Sequence, residues 1–150
     1  MVKSEKPRVL LIDDNEPTCT LMTALLQKDF AVDVATDGYE AIDKLRVKTY
    51  SAIILDLLMP NLDGYGVLDY LRANNPEMLR RVLVVSAALG NRDWLRVHEY
   101  NVCAVISKPF EVETLLGAVR QCADPAAMRS HLLTGGMILL LAEVLKNRWM

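Results

Sequence analysis

Five short runs of apolar residues alternate along the chain with longer segments in which apolar residues recur at helical spacing. The runs are RVLLI, FAVDVA, SAIILD, RVLVVS and CAVIS, and they begin at residues 8, 30, 51, 81 and 103. Short apolar runs separated by helical segments are typical of parallel βαβ units. The first, third and fourth runs are almost continuously apolar, as expected for strands covered on both faces of a parallel sheet. The second run alternates apolar and polar residues, which predicts an edge strand.

The segments between these runs predict five helices, because apolar residues share one face in each of them. The segments are residues 16–28, 38–46, 64–73, 92–100 and 112–122. The predicted apolar faces include Leu21, Met22, Leu25 and Leu26, then Ala41, Ile42 and Leu45, then Val67, Leu68 and Leu71, then Trp94, Leu95 and Val97, then Val112, Leu115, Leu116 and Val119. The alternation predicts one α/β domain over residues 7–122.

The pattern changes after Cys122. Asp124 suits a helix N-cap and Pro125 suits the first helical position, and a second helical segment with an apolar face follows over residues 137–145. We therefore expect a C-terminal helical hairpin over residues 123–150. Its apolar face either packs on its own domain or pairs with a second protomer in a homodimer, because an exposed stripe this apolar would be a liability. The segment can also be the start of a linker to a further domain.

Composition and charge narrow the classes of function. Hydrophobic residues make up 52% of the chain and charged residues 24%, as in soluble globular proteins. The 17 basic residues against 19 acidic ones leave a net charge of −2, so no overall field attracts nucleic acid. The longest apolar run, Met137 to Ala142, is far shorter than the ~20 residues that span a bilayer. We expect a cytoplasmic protein that binds neither nucleic acid nor membranes.

The three cysteines, Cys19, Cys103 and Cys122, are odd in number and widely spaced, and no CxxC pair occurs. This pattern supports neither a disulfide framework nor a zinc site. We expect three small buried thiols in a reducing compartment.

Polar residues whose side chains can take part in binding or catalysis lie at the ends of four predicted strands. They are Asp13 and Asp14, Asp56, Ser86, and the triplet Ser107-Lys108-Pro109. Ligands of an open parallel sheet bind beyond the carboxyl ends of its strands, where the strand order reverses. We therefore expect these side chains to meet in one shallow cleft.

Three crowded carboxylates repel one another unless a cation neutralises them. Hard oxygen ligands suit Mg²⁺, which is usually held by one or two carboxylates and a phosphate group. Lys108 adds a positive charge and Ser86 a donor for phosphoryl oxygens, so Asp56 is placed to attack phosphorus as a nucleophile. Each residue alone also has a structural interpretation: an Asp-Asp pair often caps a helix, and Ser86 can be an ordinary loop hydroxyl.

The segments LLIDDNEPT, ILDLLMPNLDGYGVL, VLVVSA and VISKPF resemble the receiver domain of two-component response regulators and occur in the family's order. The spacings of 30 residues from Asp56 to Ser86 and 52 residues from Asp56 to Lys108 also resemble those of the family. Several independent motifs agree, which makes chance a poor explanation. The resemblance covers residues 7–122 and leaves the C-terminal segment unassigned.

The resemblance implies a flavodoxin-like fold, a doubly wound five-stranded parallel sheet of order 2-1-3-4-5, here with a C-terminal helical extension. It implies that Asp56 accepts a phosphoryl group from the phosphohistidine of a histidine kinase or a phosphotransfer protein. It further implies that Asp14, Asp56 and the backbone carbonyl of Leu58 bind Mg²⁺, and that Asp13 assists through a water molecule.

The resemblance also assigns roles to three other residues. Lys108 would contact the phosphoryl group, and Ser86 would rotate to hydrogen-bond it after transfer. Pro109 would follow a cis peptide bond that fixes the lysine loop. Phosphoryl transfer of this type depends mostly on positioning and charge neutralisation, which these residues can supply.

Three positions depart from the family pattern. Val105 stands where the family usually has an aromatic residue that turns inward when the hydroxyl at the position of Ser86 moves. Because valine has no ring to turn, we expect the signal to pass through the loop after Ser86 or through the C-terminal hairpin. Leu58 and Ala88 stand where polar residues in relatives orient hydrolytic water. They predict a long-lived aspartyl phosphate.

These observations favour a bacterial phosphorelay receiver that controls an unknown output protein and catalyses only its own phosphorylation and slow dephosphorylation. A receiver fragment of a longer regulator and a phosphorylation-independent interaction module are the alternatives. A Mg²⁺-dependent phosphatase is disfavoured, because it would need a further general base and a substrate pocket.

Overall fold

The computed structural model describes residues 5–87, 89–124 and 126. Five β-strands alternate with five α-helices in the described part of the chain. In chain order they are β1 (Arg8–Ile12), α1 (Glu16–Leu26), β2 (Ala31–Ala35), α2 (Gly38–Val47), β3 (Ala52–Leu55), α3 (Gly64–Asn74), β4 (Val82–Ser86), α4 (Asn91–His98), β5 (Ala104–Ser107) and α5 (Val112–Ala123). A 3₁₀ helix over Pro76–Arg81 leads from α3 into β4.

The five strands form one parallel sheet in the order β2-β1-β3-β4-β5. This confirms the predicted flavodoxin-like fold and the edge position of the alternating strand β2. The chain moves outward from β1 to β2 and then returns to the other side of β1 to form β3. The strand order therefore reverses between β1 and β3, and a cleft opens beyond their carboxyl ends.

Alternate residues of each central strand enter two separate cores, one on each face of the sheet. Leu10 and Ile12 of β1 belong to the core under α2, α3 and α4. Val9 and Leu11 belong to the core under α1 and α5. All four side chains are buried, and each contributes roughly 1.5–3 kcal/mol through removal from water. The two filled faces explain why β1, β3 and β4 are almost continuously apolar.

Three helices begin at the carboxyl edge of the sheet with a side-chain cap. Asn15, Asp37 and Asp63 accept hydrogen bonds from backbone N–H groups in the first turns of α1, α2 and α3, at 2.8–3.0 Å. These caps satisfy amide groups that have no partner within the helix. They fix the directions in which the chain leaves β1, β2 and β3.

The structure corrects several details of the sequence analysis. The 3₁₀ helix over Pro76–Arg81 was not predicted. Leu21, Leu95 and Val112 were assigned to the apolar faces of their helices, but they are 55%, 68% and 43% exposed. These three side chains therefore lie outside the buried faces of their helices.

The expectation of three free thiols is wrong for two cysteines, because Cys103 and Cys122 form a disulfide. Helix α5 returns antiparallel to β5, which brings the end of the helix beside the start of the strand and places the two Cα atoms 5.8 Å apart. Cys19 is a buried free cysteine, as expected.

The predicted helical hairpin lies outside the described residues, apart from Ala123, Asp124 and Ala126. The division into residues 7–122 and 123–150, and the possible homodimer, therefore stay predictions. In the described part of the chain, no helix is both long enough and apolar enough to cross a membrane.

Candidate functional site

Three carboxylates gather at the point where the strand order reverses. Asp13 and Asp14 directly follow β1, and Asp56 follows its neighbour β3. One oxygen from each carboxylate lies within 4.8 Å of the other two. Asp13 and Asp56 are only 2% and 8% exposed, whereas Asp14 is exposed. The parallel register of β1 and β3 thus brings together residues that are more than forty positions apart in the chain.

Lys108, at the end of β5, reaches across the cleft to two of these carboxylates. Its Nζ lies 2.7 Å from Asp13 Oδ2 and 3.2 Å from Asp56 Oδ2. Burial on its own lowers the pKa of Lys108, but the hydrogen bond to Asp13 and the negative charge of Asp56 outweigh burial and raise the pKa above its usual value. The Lys108 side chain is therefore held as an ammonium group between two carboxylates. The peptide bond between Lys108 and Pro109 is cis.

Ser86 ends β4 and is fully buried. Its Oγ donates a hydrogen bond to Asp56 Oδ1 at 3.1 Å, and the backbone N–H of Leu58 donates to the same oxygen at 3.2 Å. The N–H of Lys108 donates to the Ser86 carbonyl at 2.9 Å, which ties the ends of β4 and β5 together. Asp56 is thus contacted by a hydroxyl, an ammonium group and an amide.

Two residues that the sequence analysis did not assign to the site hold Asp13 in place. The backbone N–H of Asn15 donates to Asp13 Oδ1 at 2.9 Å, and Cys19 Sγ donates to the Asp13 carbonyl at 3.2 Å. Burial, assisted by the negative charge of Asp13, raises the pKa of the Cys19 thiol to about 11. Cys19 is therefore a protonated donor at neutral pH. The helix-cap pattern of the Asp-Asp-Asn segment was the available signal for Asn15.

The loop after Asp56 packs tightly against the start of α3. A Cβ atom added at Gly64 would lie 2.5 Å from the Asp56 carbonyl oxygen and 2.7 Å from the Leu57 Cα. The Gly64 N–H also donates to the Leu57 carbonyl at 3.0 Å. Within the same loop, Asn61 adopts a φ of 67°, a conformation that asparagine tolerates better than most residues. The backbone that carries Asp56 is therefore positioned by close contact with α3.

Leu58 and Val105, two further positions singled out in the sequence, differ in their surroundings. Leu58 is 57% exposed, two residues after Asp56, and Val105 is buried among apolar residues. The assignment of the Leu58 carbonyl as a metal ligand stays a prediction. Ala88 lies outside the described residues.

The donor set fits a divalent cation. Three hard carboxylate oxygens converge, and in the described part of the chain a single ammonium group faces them, so these residues together carry excess negative charge. Among the described residues, no side chain forms a hydrogen bond or ion pair with the exposed carboxylate of Asp14, which leaves it available to a metal ion. A site with one exposed carboxylate suits Mg²⁺, which retains several water molecules when bound to proteins.

A doubly wound sheet of this order, with acidic residues and a lysine where the strand order reverses, defines a flavodoxin-like α/β protein with a charged cleft at that point. The chain belongs to the response regulator receiver domain family, whose model matches residues 9–120. The family resemblance noted from the sequence motifs is thereby confirmed.

Curated relatives and solved structures agree with this assignment. The chain is 28% identical over 91% of its length to the regulatory protein VanRB of Enterococcus faecalis, and 33% identical over 89% of its length to the probable transcriptional regulator ycf27 of Guillardia theta. It spans only 61% and 53% of the lengths of those two proteins.

Two solved receiver domains superimpose closely on this structure. The receiver domain of the Francisella response regulator 1452 is 26% identical, with a TM-score of 0.72, and the match covers 79% of this chain and 97% of that one. The non-phosphorylated HemR receiver domain of Leptospira biflexa is 25% identical, with a TM-score of 0.73, and the match covers 79% of this chain and 95% of that one.

Proposed function

We propose that Asp56 accepts a phosphoryl group and that the phosphorylation state of this receiver controls a partner protein. The observation that carries the proposal is the position of Asp56 in the acidic cluster. Its carboxylate lies within 4.8 Å of those of Asp13 and Asp14, and it accepts hydrogen bonds from Lys108 and Ser86. A carboxylate held between an ammonium group and a metal-binding cluster can approach a phosphoryl group without prohibitive repulsion.

The residues of the site suit transfer from a phosphohistidine of a histidine kinase or phosphotransfer protein. An Asp56 oxygen forms the new bond to phosphorus, while the phosphorus–nitrogen bond of the donor breaks and the imidazole departs with the bonding electron pair. Lys108 can stabilise negative charge on the phosphoryl oxygens, because its ammonium group already lies 3.2 Å from Asp56 Oδ2. Ser86 supplies a hydroxyl donor for a phosphoryl oxygen.

Asp14 and Asp56, with the Leu58 carbonyl, would hold Mg²⁺ directly, and Asp13 would act through a water molecule. The bound ion would neutralise charge on the phosphoryl oxygens and would help to align the donor. Asp13 keeps its position without the ion, because Asn15 and Lys108 both bind its carboxylate. The acidic cluster is therefore preorganised by the chain itself.

We propose that the output is a protein–protein contact, and that the chain catalyses only its own phosphorylation and slow dephosphorylation. Several relatives are named as transcription factors or transcriptional regulators, and the chain spans only part of their lengths. The identity of the output partner is left to experiment.

Incubation with acetyl phosphate and Mg²⁺, followed by intact-mass analysis, tests the phosphoacceptor role. We expect one phosphoryl adduct on the wild-type protein, and none on the Asp56→Asn variant or after removal of Mg²⁺ with EDTA. Asp43→Asn is the control, because Asp43 is a surface carboxylate that is 76% exposed, and this variant should keep the adduct.

Two results would contradict the proposal. One is an adduct that persists in Asp56→Asn, which would place the phosphoryl group elsewhere. The other is the absence of an adduct on a folded wild-type protein that binds Mg²⁺, which would favour the phosphorylation-independent interaction module.

A further inference from the structure

The loop between Ser86 and Gly90 joins the phosphorylation site to the first turn of α4. At one end of the loop, Ser86 donates to Asp56 at 3.1 Å. At the other end, Gly90 is the residue that precedes α4. The valine at position 105 is buried and has no polar group with which to follow Ser86. A movement at Asp56 can therefore reach α4 through this loop and through the contacts that hold the first turn of α4, but not through the side chain of Val105.

Tyr65 supplies a contact of this kind from the start of α3. Its side chain is only 7% exposed, and its hydroxyl donates to Asp93 Oδ1 in the first turn of α4 at 2.7 Å. The preceding residue, Gly64, packs against the Asp56 carbonyl oxygen. Tyr65 is thus connected to the backbone of the phosphoacceptor by one residue and to α4 by a hydrogen bond.

Asp93 links Tyr65 to the end of the loop. Its second oxygen, Oδ2, accepts a hydrogen bond from the Gly90 N–H at 3.2 Å. One turn further along α4, the Arg96 guanidinium carbon lies 3.7 Å from the centre of the Tyr65 ring, a cation–π contact. Tyr65 therefore holds α4 at two points, and one of them also fixes Gly90.

A second network of the same composition holds the opposite end of α4. The Tyr100 hydroxyl, just beyond the helix, donates to Asp69 of α3, and the Arg72 guanidinium carbon lies 4.6 Å from the centre of the Tyr100 ring. Both tyrosines are buried and both bind a carboxylate. Among the described residues, it is the Tyr65 network that contacts the loop beginning at Ser86, through Asp93 and the Gly90 N–H.

We propose that Tyr65 is a positioning residue that latches the first turn of α4 in the unphosphorylated protein, and that the latch opens when Asp56 is phosphorylated. The inference rests on the proposed phosphoacceptor function. A phosphoryl group extends beyond the Asp56 carboxylate, so Ser86 and its loop must move to contact the new oxygens. Because the Gly90 N–H binds Asp93, that movement displaces Asp93 and lengthens its hydrogen bond to the Tyr65 hydroxyl. The bond between Tyr100 and Asp69 holds the other end of α4 in place.

A latch that is closed only in the unphosphorylated state opposes phosphorylation. Its removal should therefore favour the phosphorylated arrangement. Tyr65→Phe removes only the hydroxyl and keeps the ring over which Arg96 lies. Tyr100→Phe is a matched control, because it removes an equivalent hydroxyl–carboxylate hydrogen bond from the other end of the same helix pair.

Titration with beryllofluoride, a mimic of an aspartyl phosphate, in the presence of Mg²⁺ tests the latch. Trp94 follows Asp93 in α4, and Trp149→Phe would make it the only tryptophan and hence a fluorescence reporter of this helix. We expect Tyr65→Phe to bind beryllofluoride about three- to tenfold more tightly than the parent, and Tyr100→Phe to stay within about twofold. Hydrogen exchange of residues 89–98 without beryllofluoride should be faster in Tyr65→Phe.

The outcomes separate the latch from the function on which it rests. If the parent forms no acetyl phosphate adduct and binds no beryllofluoride, the phosphoacceptor proposal fails and the latch fails with it. If the parent forms the adduct, but Tyr65→Phe and Tyr100→Phe show the same beryllofluoride affinity, the latch alone is overturned. Equal hydrogen exchange of α4 in the parent and Tyr65→Phe would also overturn it.

Discussion

Lys108 pairs more closely with Asp13 than with Asp56, the proposed phosphoacceptor. The Nζ atom lies 2.7 Å from Asp13 Oδ2 and 3.2 Å from Asp56 Oδ2. Asp13 and Asp56 are both largely buried, whereas the lysine side chain is 20% exposed. The lysine therefore neutralises two buried carboxylates as well as serving the proposed chemistry, and the two roles can be separated by measuring stability with and without metal.

Lys108→Gln should lower the free energy of unfolding in EDTA by about 3 kcal/mol, because it leaves two buried carboxylates without their cation. Mg²⁺ should restore part of the loss, since the ion can neutralise the same carboxylates. Urea unfolding at pH 7 in EDTA and in Mg²⁺ measures both effects. Lys48→Gln is the control, because the Lys48 side chain is 50% exposed and Asp33 keeps its contacts with Arg8 and Tyr50, so the loss of Lys48 should cost about 0.5 kcal/mol. Equal stability of Lys108→Gln and the wild type in EDTA would contradict this account.

Leu58→Asn should shorten the lifetime of the aspartyl phosphate. Leu58 is 57% exposed beside the cleft, and its aliphatic side chain cannot orient a water molecule for attack on phosphorus. An asparagine amide at this position can hold such a water molecule, so we expect dephosphorylation several-fold faster. Loss of the phosphoryl adduct with time, followed by intact mass after acetyl phosphate is removed, measures the rate. An adduct that decays no faster than in the wild type would count against the role of Leu58.

Asp33→Asn should change how stability depends on pH. Burial on its own raises the pKa of Asp33, but hydrogen bonds from Tyr50 and Lys48 and the charge of Arg8 outweigh burial and lower the pKa. A lowered pKa contributes stability above the unfolded value of about 3.9, and that contribution is lost as the pH falls through the folded value.

We therefore expect Asp33→Asn to be less stable than the wild type by about 1–2 kcal/mol at pH 7, and the difference to shrink below about pH 4. Urea unfolding between pH 7 and pH 3 measures the trend. A difference that stays constant across this range would show that the Asp33 charge does not contribute.

The positions of the main site residues could be predicted because they follow from periodicity alone. Apolar runs locate the strands, parallel pairing brings their carboxyl ends to one edge, and Asp13, Asp56, Ser86 and Lys108 stand directly at those ends. No contact between side chains is needed for that inference. The parallel α/β class followed from the same pattern, whereas the full strand order was implied by the family resemblance that the sequence motifs carry.

The contacts between helices could not be predicted in this way. Tyr65 and Asp93 are 28 residues apart on different helices, and their hydrogen bond depends on how α3 and α4 rotate against the sheet. The period of a helix shows which residues share a face, but it does not set that rotation. For the same reason, the assignment of the exposed Leu95 to the apolar face of its helix was wrong. The Cys103–Cys122 disulfide was not predicted, because a separation of 19 residues does not show that two cysteines are close unless α5 is known to run back along β5.

The disulfide predicts a thiol count that free cysteines would not give. Protein purified in air without reductant and then denatured should show one thiol, Cys19, and three after reduction. Because the bridge closes a loop of about 20 residues, its reduction should lower the free energy of unfolding by roughly 3 kcal/mol in the chain-entropy model. Thiol titration and urea unfolding measure the two effects. Cys19→Ala, as a control, should abolish the single thiol and keep the effect of reductant, whereas three thiols without reduction would contradict the pairing.

Substitution by alanine should lower the stability of the protein at Gly64 and raise it at Gly117. In Gly64→Ala the new Cβ would lie 2.5 Å from the Asp56 carbonyl oxygen, and both partners are backbone, so the loop that carries Asp56 must shift. We expect a loss of roughly 2–3 kcal/mol of stability and weaker Mg²⁺ binding. In Gly117→Ala, within α5, the Cβ would meet no atom of the described residues within 4 Å apart from the helix's own backbone, so alanine should add about 0.5–1 kcal/mol through its higher helix propensity.

Urea unfolding and Mg²⁺ titration of both variants make the comparison, and Gly117→Ala should bind Mg²⁺ like the wild type. If Gly64→Ala kept wild-type stability and Mg²⁺ affinity, the start of α3 would not be what positions the phosphoacceptor loop. Because Gly64 immediately precedes Tyr65, the packing of α3 on Asp56 would then also cease to support the connection from the cleft to α4.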